Sequence, residues 1–199
     1  MNLVLHQLLS FRNPQWQIGN HLGEVIKGKQ FLQFEPQIQK GILLHRFIDT
    51  FSDSHASVKS SSAHLHFNHS KFSPIIIDVY YDFLLIKNWE SFTQQSFTEF
   101  KLECYRLLLE NMDLFPEKLQ RFTHAMVEYD WFESYGNYEG LEKILSNMSR
   151  RTKFQNNMHW AVKDLYLNEA KFELDFMLFF PELIEKVCMF LEIPGDSLV

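Results

Sequence analysis

The amino-acid sequence predicts an all-α fold, and three observations support that prediction. Glycine and proline, which interrupt helices, occur only 7 and 6 times in 199 residues. Apolar residues recur at spacings of three and four along most of the chain, which is the period of a helix with one buried face. Strict alternation of apolar and polar residues, the pattern of a half-buried strand, is rare. With 46% hydrophobic residues, a chain of this length can bury one ordinary core, so we expect residues 1–199 to form a single-domain helical bundle.

The N-terminal part of the chain predicts two short helices and one longer helix. Residues 2–11 fit a short helix, and residues 17–27 fit a second that ends at Gly28, because glycine often follows the last turn of a helix. A longer helix is expected from Pro36 to about Phe51, since proline is favoured in the first turn. Its apolar face comprises Leu44, Phe47, Ile48 and Phe51.

The remaining elements follow from caps, prolines and apolar runs. Residues 56–70 are polar and serine-rich and fit either a surface helix or a loop. Ser73-Pro74 indicates a helix start, with serine as the N-cap and proline in the first position. The segment PIIIDVYYDFLLI that follows has a β-branched run that would also suit a strand, but its apolar pattern continues to Trp89 and favours a helix. Further helices are expected at residues 96–110, 116–134, 138–149 and 153–179, and Pro181 is expected to begin the last one.

Charge and cysteine content exclude several classes of protein. The formal net charge is −6, whereas proteins that bind nucleic acid polymers usually present a basic face. The two cysteines, Cys104 and Cys188, form no short-spaced motif, so neither a disulfide framework nor a zinc site is expected. Reduced thiols are typical of a cytoplasmic protein. No apolar run approaches the ~20 residues of a membrane span, so no membrane insertion is expected.

Asp78 and Asp82 lie in the most apolar segment of the chain. Burying an isolated carboxylate costs several kcal/mol, and two carboxylates four residues apart point to the same side of a helix. Like charges so placed repel unless a cation lies near them. A divalent metal ion or a basic side chain would meet that need; alternatively, one aspartate pairs with a base and the other is exposed.

His45 and Asp49 show the spacing of four that lets two helical side chains reach one metal ion. Such pairs are also common on solvated helix faces. Arg46 carries a planar guanidinium that suits phosphate oxygens, although most arginines are merely solvated. On their own, His6 would be a hydrogen-bonded core histidine and Glu24 a surface carboxylate.

Other polar residues are weaker candidates. Asp53 either continues the face of Asp49 or caps the next element, and His55 is expected near a helix end. The histidines of HLHFNH (residues 64–69) lack neighbouring carboxylates, so we do not expect a metal site there. The basic run at residues 150–153 is typical of the cationic C-terminus of a helix.

Several motifs together resemble a known family. In chain order they are MNLVLH, GNHLGEVIKG, GILLHRFIDTFSD, SPIIIDVYYDFLLIKNW and LSNMSRRTKF. This set is similar to the bacterial acyl carrier protein phosphodiesterase family from residue 1 to about residue 181. The resemblance implies an all-helical fold, remotely related to the HD-domain metal-dependent phosphohydrolases.

The resemblance also implies a reaction, a cofactor and a set of site residues. Members of the family hydrolyse the phosphodiester that joins 4′-phosphopantetheine to a serine of holo-acyl carrier protein, and they use a divalent cation, with Mn²⁺ favoured. The residues that match the family pattern are His6, His45, Asp49, Asp53, Asp78 and Asp82, with Arg46 beside them. Two positions depart from the pattern, because Glu24 stands where aspartate is usual and Phe83 where histidine is common.

The resulting hypothesis is a metal-dependent phosphodiesterase. The predicted metal ligands are His6, Glu24, His45, Asp49, Asp78 and Asp82. Asp49 or Asp82 would accept a proton from the attacking water, and Arg46 would stabilise charge on the phosphoryl oxygens. Docking of an acidic carrier would need a local basic patch, for which the candidates are Lys27, Lys29, Lys40 and Arg12.

Two alternatives remain at this point. The same metal site could serve a nucleotide or another small phosphoester, because a fold does not fix its substrate. The departures at Glu24 and Phe83 also leave open a non-catalytic helical binding protein that kept the fold.

Overall fold

The computed structural model describes residues 2–195 and contains only helices, turns and loops in that range. The α-helices are α1 (Leu3–Leu8), α2 (Pro14–Gly23), α3 (Pro36–Ser54), α4 (Ala56–His69), α5 (Ser73–Lys87), α6 (Phe97–Glu110), α7 (Glu117–Glu128), α8 (Trp131–Tyr135), α9 (Tyr138–Arg151) and α10 (Ala161–Leu191). Short 3₁₀ segments lie at Gly28–Gln33, Ser70–Phe72, Trp89–Ser91, Met112–Leu114 and Met158–Trp160. The predicted all-α class is confirmed, and the likeness to HD domains stays a prediction.

Local polar side chains fix where several helices begin. The Asn13 side chain accepts hydrogen bonds from the backbone of Gln15 and Trp16, and Pro14 occupies the first position of α2. Ser96 caps α6 and Asn137 caps α9 in the same way. These caps satisfy N–H groups that have no partner within the helix. Asn13-Pro14 explains why α2 starts three residues before the predicted position.

The central helices are confirmed, and the polar segment at residues 56–70 is helix α4 rather than a loop. α3 ends at Ser54, and its predicted apolar face divides into two parts. Leu44 and Ile48 are fully buried, while Phe47 and Phe51 stack on rings of α10. α5 is a helix throughout, as its apolar pattern predicts, despite its β-branched run.

The single helix predicted at residues 116–134 is wrong, because the chain breaks between α7 and α8. Asp130 adopts a left-handed backbone conformation with φ +42°. Its carboxylate accepts a hydrogen bond from Lys101 at 2.7 Å and another from Tyr105 at 3.0 Å. Asp130 also caps α8, because its side chain accepts from the backbone N–H of Glu133. The break therefore combines a local cap with partners on α6 that lie far away in sequence.

The boundary predicted at Pro181 is also wrong, because α10 runs through it from residue 161 to residue 191. A proline inside a helix costs about 3 kcal/mol. On either side of it, Phe180 and Leu183 are fully buried, and each such side chain stabilises the fold by roughly 1.5–3 kcal/mol. The non-helical backbone in α10 lies instead at Asn168, and residues 153–157 are irregular.

α2 and α3 pack with their backbones almost touching, and this contact positions the site described below. A Cβ on Gly19 would lie 2.2 Å from the Ile38 carbonyl oxygen, and a Cβ on Gly41 would lie 2.5 Å from that of Trp16. Only glycine permits this approach at either position. Within residues 2–195, no helix is both long enough and apolar enough to cross a membrane.

Candidate active site

A polar cavity of about 260 Å³ opens where α1, α2, α3 and α5 meet. Its lining residues are Asn2, His6, Glu24, Lys27, His45, Asp49, Ser52, Asp53 and Asp78. Five of the six predicted metal ligands therefore lie around one space, although they come from four separate parts of the chain. Asp53 and Lys27 join them.

Two histidines converge on one carboxylate at the centre of this cavity. His6 Nε2 lies 3.2 Å from one oxygen of Asp49, and His45 Nε2 lies 3.3 Å from the other. The two imidazole rings are 4.4 Å apart. Both histidines are buried, whereas the Asp49 side chain is 55% exposed, so the carboxylate is the part of the cluster that faces solvent.

Asn20 fixes the orientation of both imidazole rings. Its amide nitrogen donates to the His6 carbonyl at 2.8 Å and to the Ser10 hydroxyl, so its oxygen must point the other way. That oxygen accepts from Nδ1 of His6 at 2.8 Å and from Nδ1 of His45 at 3.1 Å. An amide oxygen has two lone pairs and cannot donate, so Nδ1 carries the proton in both rings.

This arrangement leaves the electron pairs of the two Nε2 atoms facing the Asp49 carboxylate. Four electron-rich atoms so close together repel one another unless protons or a cation lie between them. Burial lowers the pKa of His45, and the neighbouring His6 lowers it further, which Asp49 only partly offsets. A second proton on that ring is thus disfavoured.

The cavity carries more negative than positive groups. When protons lie on the two Nε2 atoms, hydrogen bonds from His45 and His6 hold the pKa of Asp49 far below its usual range, although burial alone would raise it. The pKa of Asp53 is raised by burial and by the charges of Asp78 and Asp49. Burial likewise raises the pKa of Glu24, against the influence of His45. Such a set of imidazole nitrogens and carboxylate oxygens is the chemistry that divalent cations prefer.

In the described part of the chain, no three His, Cys, Asp or Glu side chains already stand in a metal-coordinating arrangement. Nε2 of His6 and of His45 instead lies at ion-pair distance from Asp49. The donor types nevertheless fit a cation, because Asn20 holds both Nδ1 atoms as donors and directs both Nε2 atoms into the cavity.

Glycine 23 lets His45 occupy its position. A Cβ on Gly23 would lie only 2.4–2.7 Å from atoms of the His45 side chain, so α2 and the imidazole ring could not both stay in place. Together with the contact of Gly19 on Gly41, this explains why the motif GNHLG carries a glycine on each side of Asn20.

Asp82 does not line the cavity, which corrects its predicted roles as metal ligand and base. It is fully buried, and its two oxygens accept the backbone N–H groups of Val4 at 3.1 Å and Leu5 at 2.9 Å. Asp82 therefore caps the N-terminus of α1, the helix that carries His6. Burial raises its pKa to about 7, although the two backbone hydrogen bonds act in the opposite direction. Its role is to position His6.

Arg46 and Lys29 also lie outside the cavity lining. The Arg46 guanidinium donates to the Ile26 carbonyl at 3.1 Å and lies over the Phe31 ring. It thereby holds the segment after α2 against α3, and its predicted contact with phosphate is replaced by this tether. Lys29 is exposed on the neighbouring 3₁₀ segment.

Two other predicted docking cations are already engaged. Arg12 forms an ion pair with Glu103 at 3.2 Å. Lys40 donates to the Leu191 carbonyl at 2.9 Å and lies over the Trp16 ring. Lys27 is thus the predicted cation that the fold places at the cavity.

Phe83, the second departure from the family pattern, is buried against Tyr138 with ring centroids 5.1 Å apart. It is not part of the cavity lining. The absence of histidine at this position therefore leaves the polar cluster unchanged.

Sequence reasoning missed Asn20, because an isolated asparagine is usually a surface or capping residue. It also missed the partner of His69, which binds Asp164 of α10 at 2.6 Å across 95 residues of sequence. The available signal for Asn20 was its place between Gly19 and His21 in a helix that packs closely, where a polar residue is forced into the interior.

Comparison with known proteins agrees with the motif resemblance. The family model for acyl carrier protein phosphodiesterase matches residues 1–183. A protein of that name from Serratia proteamaculans is 23% identical over 187 residues, which cover 94% of this chain and 97% of the relative. One from Escherichia coli O6:H1 is 25% identical over 193 residues, with the same coverage. One from Photorhabdus laumondii is 24% identical and covers 94% of each chain. No solved structure is a significant match.

Proposed function

Because the chain belongs to the acyl carrier protein phosphodiesterase family, we propose that it hydrolyses the phosphodiester between 4′-phosphopantetheine and the serine of holo-acyl carrier protein. The products are the apo-carrier and free phosphopantetheine. The observation that supports this activity most directly is the convergence of His6 and His45 on Asp49 in a carboxylate-lined cavity.

A divalent cation, Mn²⁺ by preference, is part of the proposal. His6, His45 and Asp49 would hold it, and Glu24 and Asp78 line the same cavity. When bound, such an ion supplies a nucleophilic water at neutral pH and offsets the charge of the phosphate.

The chain's own residues divide the remaining work. Asp49 would bind the cation as a carboxylate between the two imidazole rings, so it is not the group that carries a proton. Glu24 has a raised pKa and lines the same cavity, which suits a group that accepts a proton from water and returns it to the leaving serine oxygen. This assignment replaces Asp82 as the base.

Lys27 is the lysine that lines the polar cavity. It is exposed and lines the cavity, so it can attract the phosphate and neighbouring acidic groups of the carrier. Charges at such a rim act mainly on the association rate and its salt dependence.

Mass spectrometry of holo-carrier incubated with the protein and Mn²⁺ tests the proposal. We expect the carrier to lose the phosphopantetheine mass, and we expect no loss with Asp49→Asn. The matched control is Glu90→Gln, an exposed carboxylate outside the cavity, which should behave like the wild type. An unchanged carrier, under conditions where an active relative cleaves it, would contradict the proposal. Turnover of a nucleotide panel in that case would favour the small-phosphoester alternative.

A further inference from the structure

A second, apolar cavity of about 350 Å³ lies between α5, α7, α8 and α9. Its apolar lining consists of Ile75, Phe122, Trp131, Tyr135, Ile144 and Met148. Asn147 and Arg151 supply its polar groups. Its volume falls within the about 300–1,000 Å³ that is usual for small-molecule sites. Protein interiors are otherwise packed as densely as organic crystals, so an opening of this size among aromatic rings indicates a site for a ligand.

The apolar and the polar cavity share helix α5, which contributes a lining residue to each. Ile75 of the apolar cavity and Asp78 of the polar cavity are three residues apart on α5, so their side chains are adjacent on one side of the helix. Helix packing provides the second link, because α8, which carries Tyr135 of the apolar cavity, packs directly against α5.

The two cavities differ in the chemistry that they can receive. The polar cavity offers histidines, carboxylates and one lysine, which match a phosphodiester and a cation. The apolar cavity is lined mostly by aromatic and aliphatic side chains, which offer few hydrogen-bond partners to the amides of a pantetheine arm, and an unpaired buried amide weakens binding. An alkyl chain has no such groups and gains from each methylene that it buries.

We propose that the apolar cavity binds the acyl chain at the end of the phosphopantetheine arm while the phosphodiester lies in the polar cavity. The inference rests on the proposed function and deepens it, because it names acylated carrier as the substrate class that binds best. Each buried methylene should improve kcat/KM by about fourfold until the cavity is full.

The test compares holo-, butyryl-, octanoyl- and hexadecanoyl-carrier as substrates of the full-length protein with Mn²⁺. We expect kcat/KM to be at least about tenfold higher for octanoyl- than for holo-carrier. Ile144→Trp fills the cavity and should lower that ratio by about tenfold or more. Met148→Ala enlarges it and should move the optimum to longer chains. Glu142→Trp is the matched control, because it adds the same indole to the exposed side of α9.

Equal kcat/KM for all four carriers, or an unchanged ratio in Ile144→Trp, would overturn the inference. A binding measurement separates this failure from failure of the proposed function. S-octanoyl-pantetheine should change the fluorescence of Trp131 in the wild type and not in Ile144→Trp, with Trp131→Phe identifying the signal. Binding without turnover of any carrier would leave the cavity assignment supported and refute the hydrolase. Free octanoate binding as tightly as the thioester would overturn the inference in favour of a fatty acid site.

Discussion

Two histidine–aspartate clusters within residues 2–195 are built from the same chemical groups and have different roles. His69 of α4 and Asp164 of α10 lie 2.6 Å apart, with the His69 side chain 0% exposed and Asp164 23% exposed. In the polar cavity, His6 and His45 approach Asp49 at 3.2 and 3.3 Å, and the carboxylate is 55% exposed. The first pair is a buried tether between two helices, whereas the second is an open cluster with further carboxylates around it.

The comparison shows which features make such a cluster a functional site. The Nε2 atom of His69 already has a hydrogen-bond partner in Asp164. This pair therefore stabilises the fold. Two Nε2 atoms directed at one carboxylate, with both Nδ1 atoms bonded to Asn20, leave electron pairs that only a proton or cation can satisfy. The residue types are the same in both clusters. What differs is the hydrogen bonding of the Nδ1 atoms, which in the polar cavity are both bonded to Asn20.

The largest expected effect separates these two clusters directly. Asp49→Asn should lower turnover of holo-carrier by at least about 100-fold, because the amide no longer offers an anionic partner to the histidines and the cation. Asp164→Asn should leave turnover within about threefold and lower the free energy of unfolding by about 1–3 kcal/mol, because His69 loses a charged partner. Steady-state kinetics and urea denaturation of both variants check this reversal. Equal kinetic defects in the two variants would remove the distinction.

Asn20→Ala should give the next largest effect. Without the amide oxygen, both imidazole rings lose the contact that sets their tautomer, and we expect activity and Mn²⁺ affinity to fall about 10–100-fold. Asn68→Ala is the matched control, since Asn68 touches the tether carboxylate Asp164 and not the cavity. Kinetics at several Mn²⁺ concentrations measure both quantities. Wild-type Mn²⁺ affinity in Asn20→Ala would show that the asparagine does not orient the cluster.

The titration of Asp82 should change the free energy of unfolding with pH, and not the hydrolytic reaction. Its pKa is about 7 in the folded protein and about 3.9 in an unfolded chain. The folded state therefore binds the extra proton between these values, and the free energy of unfolding should fall as pH rises from about 4 to about 7. Asp82→Asn lacks this titration, so the advantage of the wild type over the variant should shrink across that window. Denaturation at pH 4, 5.5 and 7 measures it, and an advantage that grows with pH would contradict the assignment.

The smallest effect is expected at the rim of the polar cavity. Lys27→Ala should raise KM for the carrier about two- to fivefold and weaken its dependence on salt, with little change in kcat. Lys29→Ala, which changes an exposed lysine outside the cavity lining, is the comparison. Kinetics at two ionic strengths distinguish them. Equal effects of the two substitutions would point to a diffuse field instead of a local contact.

The features that could be predicted from the sequence depend on interactions between residues close together in the chain. His45 and Asp49 were found because their contact is local, at a spacing of four on one helix. The α5 helix was found because its apolar pattern is continuous. His6 needed the family resemblance, since a histidine in an apolar run gives no sign that it meets α3.

The wrong or missing predictions concern residues whose partners lie on other elements of the fold. Asp82 was predicted to be a metal ligand because its actual partners, the free N–H groups of α1, lie 77 and 78 residues away in sequence. Arg46 was predicted to contact phosphate because its actual partners give no signal in the sequence. They are the backbone carbonyl of Ile26 and the ring of Phe31. Asn20 was missed because its role depends on three helices meeting at once.

The most direct test of the central claim is a crystal structure of the protein grown with Mn²⁺ and measured at a wavelength where manganese scatters anomalously. We expect an anomalous peak in the polar cavity, about 2.2 Å from Nε2 of His6 and of His45 and from an Asp49 oxygen. A cavity without that peak, with both histidines still in contact with Asp49 while Mn²⁺ lies at another place such as His69 and Asp164, would contradict this claim.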